Sequence, residues 1–198
     1  MTPELAISRL VAESLQESIA LKRALLEDEN YEAQVTAVGQ IMARALQLGH
    51  KIIFFGNGGS AADAQHLAAE LTGRYMMDRP GLAGLSLTAN TSSITAISND
   101  YSYDMVFARQ VEALGRPGDV AVGISTSGKS ANVVQAMKVA RSKQLTTVAL
   151  TGKTGGHLVS LVDSCIRIPS ACIPRIQEAH ILTGHILCEI VEHELFAR

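Results

Sequence analysis

His66 and Glu70 stand four residues apart in SAADAQHLAAEL, a stretch otherwise rich in alanine and leucine. On a helix that spacing puts an imidazole and a carboxylate on one face, where they can share a cation or a proton. A surface ion pair has the same spacing, so the pair alone leaves both readings open. A second apolar stretch near the C-terminus carries Gln177, Glu178, His180, His185, Glu189 and His193 among Ile181, Leu182, Ile186, Leu187, Ile190, Val191 and Leu195. Those apolar residues demand burial, so some of the polar groups between them are buried or at an interface and need partners. A metal ion is one way to supply them. Nitrogen and oxygen donors without thiolates suit zinc or another borderline divalent ion. Gln177 and His185 are separated by ~12 Å of rise along a regular helix, so both reach one ion only if Gln177 lies at a frayed or bent helix start. His66, Glu70 and His185 carry no such constraint.

Two loops carry a different chemistry. Gly56-Asn57-Gly58-Gly59-Ser60 follows the apolar run KIIFF, and its glycines allow close backbone approach and positive φ. Ser60 is placed to cap the helix that follows. Ser125-Thr126-Ser127-Gly128-Lys129-Ser130 follows DVAVGI and is mostly hydroxyl. A hydroxyl-rich turn opening a helix suits a phosphate, because free N–H groups and the positive end of the helix dipole attract the anion. One glycine-rich loop alone reads better as an ordinary strand-to-helix turn with a Ser cap; two at strand ends, one mostly hydroxyl, point to a phosphosugar. Neither is a Walker loop or G-x-G-x-x-G, so nucleotide binding has little support. Thr151-Gly152-Lys153-Thr154-Gly155-Gly156 is a weaker case and reads as a turn.

These residues need a scaffold, and the apolar pattern supplies one. Strand-like runs recur at 51–55, 82–87, 119–124, 146–151 and 164–169, with helical stretches near 60–73, 92–98, 104–114, 129–143 and 155–161 and a closing helix from about Ile176 to Phe196. Alternating β and α of this kind predicts an α/β fold, a five-stranded parallel sheet with helices on both faces. In such sheets ligands collect outside the C-terminal strand ends. Before the first strand, Leu5, Ile7, Leu10, Val11, Leu15, Ile19, Leu21 and Leu25 form one helical series. Val35, Val38, Ile41, Met42, Ala45 and Leu46 form another, and Asp28-Glu29-Asn30 divides the two. Two extra helices over 1–48 either line a subunit interface or cap one sheet face.

With 198 residues, a single domain over 1–198 is expected. A core low in aromatics and rich in Ala, Leu, Ile and Val suits helices on a buried sheet. The net charge of −2 argues against nucleic acid as a partner. Charges at Glu4, Arg9, Glu13, Glu17, Lys22 and Arg23 interrupt the N-terminal stretch, which has neither a signal-peptide core nor a membrane span, so a cytoplasmic location is expected. Cys165, Cys172 and Cys188 lack C-x-x-C spacing and read as reduced thiols.

Together, GNGGSAADAQHLAAELTGR, ISTSGKSANV, LTGKTGG and RIQEAHILTGHIL resemble the phosphoheptose isomerases, within the sugar isomerase (SIS) domain superfamily. The resemblance runs from about residue 5 to the C-terminus. It implies a flavodoxin-like three-layer SIS domain and a cytoplasmic homotetramer with active sites at subunit interfaces, one zinc ion per subunit. It makes His66, Glu70, Gln177 and His185 the zinc ligands. Substrate contacts fall on Asn57, Gly58, Gly59, Ser60, Glu70, Asn99, Asp100, Ser125, Thr126, Ser127, Ser130 and Gln177. Glu70 and His185 become the acid/base pair of a ketose–aldose isomerase acting on sedoheptulose 7-phosphate, at the head of ADP- or GDP-heptose synthesis for lipopolysaccharide or another surface carbohydrate. A sister branch of the same fold resembles a non-enzymatic adaptor of the bacterial replication initiator. That branch typically lacks the glutamate and the last histidine, which this chain retains.

Overall fold

Five short strands, β1 (Ile52–Gly56), β2 (Gly84–Ser86), β3 (Val120–Ser125), β4 (Thr146–Thr151) and β5 (Ser164–Arg167), form one parallel sheet in the order β2-β1-β3-β4-β5. The computed structural model describes residues 3–197, with side chains at position 7 and from 9 onward. The Leu5 side chain and the outermost residues of the 1–198 domain lie outside that range.

Strand side chains alternate between two cores, as the pleat requires. Ile52, Phe54, Val120, Val122, Ile124, Val148 and Leu150 pack with helices α2 (Glu29–Gln47), α3 (Gly59–Thr72) and α7 (Ile173–Phe196). On the other face Ile53, Phe55, Ala121 and Ala149 meet α5 (Val106–Leu114) and α6 (Ala131–Ser142). The strand order reverses at β1, so β1 feeds α3 on one face while its neighbour β3 feeds α6 on the other. The crevice between their carboxyl ends is where such sheets bind ligands, and it holds both glycine- and hydroxyl-rich loops.

The two N-terminal helices differ in how much of their apolar surface is covered. Asp28 caps α2, its carboxylate accepting the N–H groups of Asn30 and Tyr31, which breaks the chain from α1 (Pro3–Leu26). Helix α2 buries Val35, Val38, Met42, Ala43, Ala45 and Leu46 and covers the sheet. Helix α1 leaves a stripe bare: Ile7, Leu10, Val11, Leu15 and Ile19 are each at least half exposed.

One expected helix is absent. Residues 155–161 run through successive turns, because Gly155 (φ 70°) and Gly156 (φ 53°) adopt the left-handed conformation that a right-handed helix cannot contain. Other boundaries move: the 82–87 and 164–169 runs shorten to β2 and β5, and the 129–143 helix to α6. A helix α4 spans Thr91–Asp100, and α7 begins at Ile173, with Pro174 in its first turn, where a missing N–H costs nothing. Among the described residues no helix is long and apolar enough to cross a membrane.

His180 faces the core from α7, fully buried, with neither ring nitrogen hydrogen-bonded. Burial lowers its pKa from 6.5 to about 4, and the nearby Thr151 backbone offsets this only in part. Between those values the unfolded chain takes up a proton that the folded chain refuses. Stability is therefore fully present above pH 6.5 and falls as pH drops toward 4, by up to about 3 kcal/mol. His180→Leu is expected to shrink the loss of urea midpoint between pH 7 and 4.5; an unchanged loss would assign the acid sensitivity elsewhere.

Candidate active site

Helices α3 and α7 lie side by side with matching polarity: Gly59 meets Gln177, and two turns on, Leu67 meets Gly184. A methyl group at Gly184 would fall 2.5 Å from Leu67 Cδ1, so any larger residue would have to displace that buried side chain. The neighbours of that contact are His66 and His185. His66 Nε2 lies 2.8 Å from Glu70 Oε1 and 3.2 Å from His185 Nε2, and the three residues offer donor atoms all within 4.8 Å of one another. The His66 side chain is about half exposed (48%), so the cluster opens to solvent.

The donor set fits a divalent cation. With Zn–N and Zn–O bonds near 2.0–2.1 Å, tetrahedral ligands sit ~3.3 Å apart, close to the two distances found. Two imidazole Nε2 atoms facing each other can share only one proton, whereas a cation accepts both lone pairs. The Tyr75 ring stacks on His185 with centroids 5.5 Å apart and planes at 30°. One turn before His66, the Asp63 carboxyl has a buried oxygen without a partner, and burial raises its pKa to about 6 against the opposing pull of His66.

The first loop differs from expectation in one respect. Helix α3 starts at Gly59, so Gly58 (φ 56°) is its N-cap, and no side chain caps the helix. Ser60 therefore falls inside the first turn, buried, where it cannot cap; its Cβ lies 2.8 Å from where a Gly56 methyl would stand. The uncapped turn leaves N–H groups free for an anion. Asn57 is held in a reciprocal amide pair, its Nδ2 donating to Asn132 Oδ1 (2.8 Å) and its Oδ1 accepting from Asn132 Nδ2 (2.9 Å). Tyr103 donates its hydroxyl to the same Asn57 oxygen (2.9 Å). With both lone pairs of Oδ1 used, Asn57 has only an N–H left to offer, which suits an acceptor. Asn132 follows the hydroxyl loop directly and could have been found there; nothing in the sequence marks Tyr103.

The second loop is folded on its own hydroxyls. Ser125 and Ser130 share a hydrogen bond of 3.0 Å, and Ser127 Oγ accepts the Lys129 N–H. The 152–157 turn braces it from below, since Gly152 N–H donates to Thr126 O and His157 N–H to Gly128 O. That turn is thus part of the loop's support. Thr126 is partly exposed and Ser127 exposed, at the mouth of the crevice. Helix α6, like α3, opens without a side-chain cap.

Two sets of expected residues stand apart from the triad. Asn99 and Asp100, at the end of α4, are exposed and hydrogen-bonded to each other. Gln177 lies within the regular part of α7, its amide against Gly59 at the start of α3. The condition of a frayed helix start is not met, and Gln177 stands at the glycine-loop end of the cleft.

Comparison with known proteins gives the family of this chain. The SIS domain family model covers residues 15–152. Phosphoheptose isomerase 2 of Campylobacter jejuni is 50% identical over 182 residues, 92% of this chain and 90% of that one. Among solved structures, the phosphoheptose isomerase of Neisseria gonorrhoeae superposes with a TM-score of 0.87 at 46% identity, covering 94% of this chain and 98% of that chain. That of Francisella tularensis gives 0.89 at 34% identity, covering 98% and 100%. The two uncapped helices, the braced hydroxyl loop and the His–Glu–His cluster belong to a chain that is a member of the SIS-domain family and, within it, of the phosphoheptose isomerases.

Proposed function

We propose that this enzyme converts sedoheptulose 7-phosphate to D-glycero-D-manno-heptose 7-phosphate, with Glu70 and His185 as its acid/base pair and zinc as its metal. The carrying observation is the convergence of His66, Glu70 and His185 beside two anion-ready helix starts. The phosphate is assigned to the Ser125–Ser130 loop, and Asn57 to a sugar oxygen. Ketose and aldose contain the same atoms, so the reaction only relocates protons. Glu70 takes the proton from C1 while His185 donates one to the C2 oxygen, giving an enediol; return of a proton to C2 and loss of the C1 hydroxyl proton complete the aldose. A carboxylate has two oxygens, so Glu70 can engage His66 or a cation through one and the substrate through the other. Zinc, held by His66, Glu70 and His185, would supply Lewis acidity at the sugar oxygens.

Gln177 is carried as the fourth ligand by resemblance. Within one chain its amide is two turns of α7 away from His185, so its coordination requires a second copy or a shift of the helix. The bare α1 stripe supports the proposed homotetramer, with second copies covering it. A cytoplasmic location and a role in nucleotide-heptose synthesis for surface carbohydrate complete the proposal. A coupled assay with sedoheptulose 7-phosphate, with zinc content and mass measured on the same sample, tests it. No turnover in a zinc-replete sample would overturn it.

The phosphate assignment has its own test. Ser125→Ala or Ser127→Ala should raise KM by about 5-fold, the worth of one hydrogen bond of ~1 kcal/mol. kcat should stay within twofold, because the phosphate is held equally in ground and transition states. Inorganic phosphate should compete with substrate. Unchanged KM in both variants with no phosphate inhibition would reduce the loop to a turn.

A further inference from the structure

Beyond the triad, α3 and α7 are tied by a buried ion pair. Arg79 Nε lies 3.0 Å from Glu192 Oε1, with side chains 1% and 2% exposed. The Glu192 carboxylate also accepts the backbone N–H groups of Tyr75, Met76 and Met77, each at 2.9 Å. Burial alone would raise its pKa; these N–H groups and the guanidinium outweigh that and hold it below the usual value, ionised. Arg79 in turn donates through Nη2 to the Glu70 carbonyl (2.8 Å) and through Nη1 to those of Leu71 (2.7 Å) and Gly73 (3.2 Å). It thereby satisfies the last carbonyls of α3, which a helix end leaves without partners.

A buried ion pair is weak evidence for stability, since desolvation offsets its attraction. What this one does is geometric. Arg79 grips the backbone of Glu70, whose carboxylate belongs to the triad. Glu192 is seven residues beyond His185, two turns on and nearly on the same face of α7. The carboxylate also fixes the backbone of Tyr75, whose ring stacks on His185. Two routes lead from one carboxylate to the triad, one through α3 and one through an aromatic ring.

We propose that Arg79 and Glu192 are a positioning pair that sets the end of α3 against α7 and Tyr75 over His185, so that the donor atoms of His66, Glu70 and His185 converge. This rests on the metal-centre reading above. Neither residue touches the reacting atoms, so the signature is a loss of metal affinity and kcat with substrate affinity kept. Partners that orient metal ligands typically contribute about 10–100-fold in affinity or activity.

The test uses the full chain carrying Glu192→Gln or Arg79→Lys, with zinc affinity measured by chelator competition beside kcat and KM. Glu192→Gln puts an amide donor where N–H groups converge. Arg79→Lys keeps the charge but loses the fork across Glu70 and Leu71, and it decides the matter should Glu192→Gln fail to fold. Each is expected to lower zinc affinity and kcat about 10–100-fold, with KM within about twofold. Tyr75→Ala should reproduce part of that loss and Tyr75→Phe should restore it, because the ring and not the hydroxyl stacks. Wild-type zinc affinity and kcat in Arg79→Lys would overturn the proposal and leave the pair a structural tie. A wild type that binds no zinc would fail the metal reading instead. The kcat–KM split would then decide alone: reduced kcat at constant KM supports positioning, and unchanged kcat overturns it.

Discussion

Glu70→Gln is expected to yield a folded protein of unchanged assembly that turns over sedoheptulose 7-phosphate about 10²–10⁴-fold more slowly, the usual contribution of a general base. The replacement preserves the size of the side chain and its hydrogen bond to His66, as an amide oxygen accepts where the carboxylate did. What it removes is the ability to hold a proton taken from carbon. KM should change far less than kcat, because the phosphate loop is untouched. His185→Asn should show a comparable fall together with weaker zinc binding. Wild-type turnover in both variants would discard the acid/base assignment, and binding to a replication initiator would become the next measurement.

His66→Ala should abolish stoichiometric zinc. His66 is the middle donor, 2.8 Å from Glu70 and 3.2 Å from His185, so its loss leaves two ligands that share no direct contact in the triad's hydrogen bonds. Elemental analysis after zinc incubation and desalting is expected to fall from roughly one ion per chain to background. The half-exposed imidazole contributes little to the core, so metal-free stability should shift by no more than about 0.5 kcal/mol. Full zinc occupancy in the variant would remove His66 from the ligand set. A variant unable to fold would make the residue structural.

The strands were legible because each lies in a short run rich in apolar or β-branched residues flanked by turn signals; β4 falls where TTVALT places it, whereas only three residues of LAGLSL and four of SCIRIP join the sheet. The parallel sheet followed from the alternation of elements, and the crevice from the loops at β1 and β3. What failed did so for local reasons. The 155–161 segment has helical spacing, but Gly155 and Gly156 are needed at positive φ to pass beneath Gly128. Ser60 reads as a cap only if the helix starts after it, and the helix starts one residue before. In the site, His66 and Glu70 could be paired from their spacing, whereas Gln177 stands at Gly59 because α7 is regular from Ile173. Glu192 was missed for a different reason. A glutamate near the end of an amphipathic helix looks solvated, and its partners lie 113 to 117 residues away in the chain. Only the folded chain shows that Glu189 and His193 face outward while Glu192 faces in.

Helix α7 carries Gln177, His185 and Glu192 on one unbroken rod, and this makes the chain intolerant of length changes there. A one-residue insertion between Glu178 and Gly184 would turn everything before it by about 100° relative to everything after it. Gln177 would swing away from Gly59 while His185 and Glu192 kept their places, so the two ends of the cleft would fall out of phase. A deletion would do the same in the opposite sense. Substitutions on the exposed side of this helix are free to drift, but insertions and deletions within it are not, and natural variation in chain length should collect in the surface connections instead.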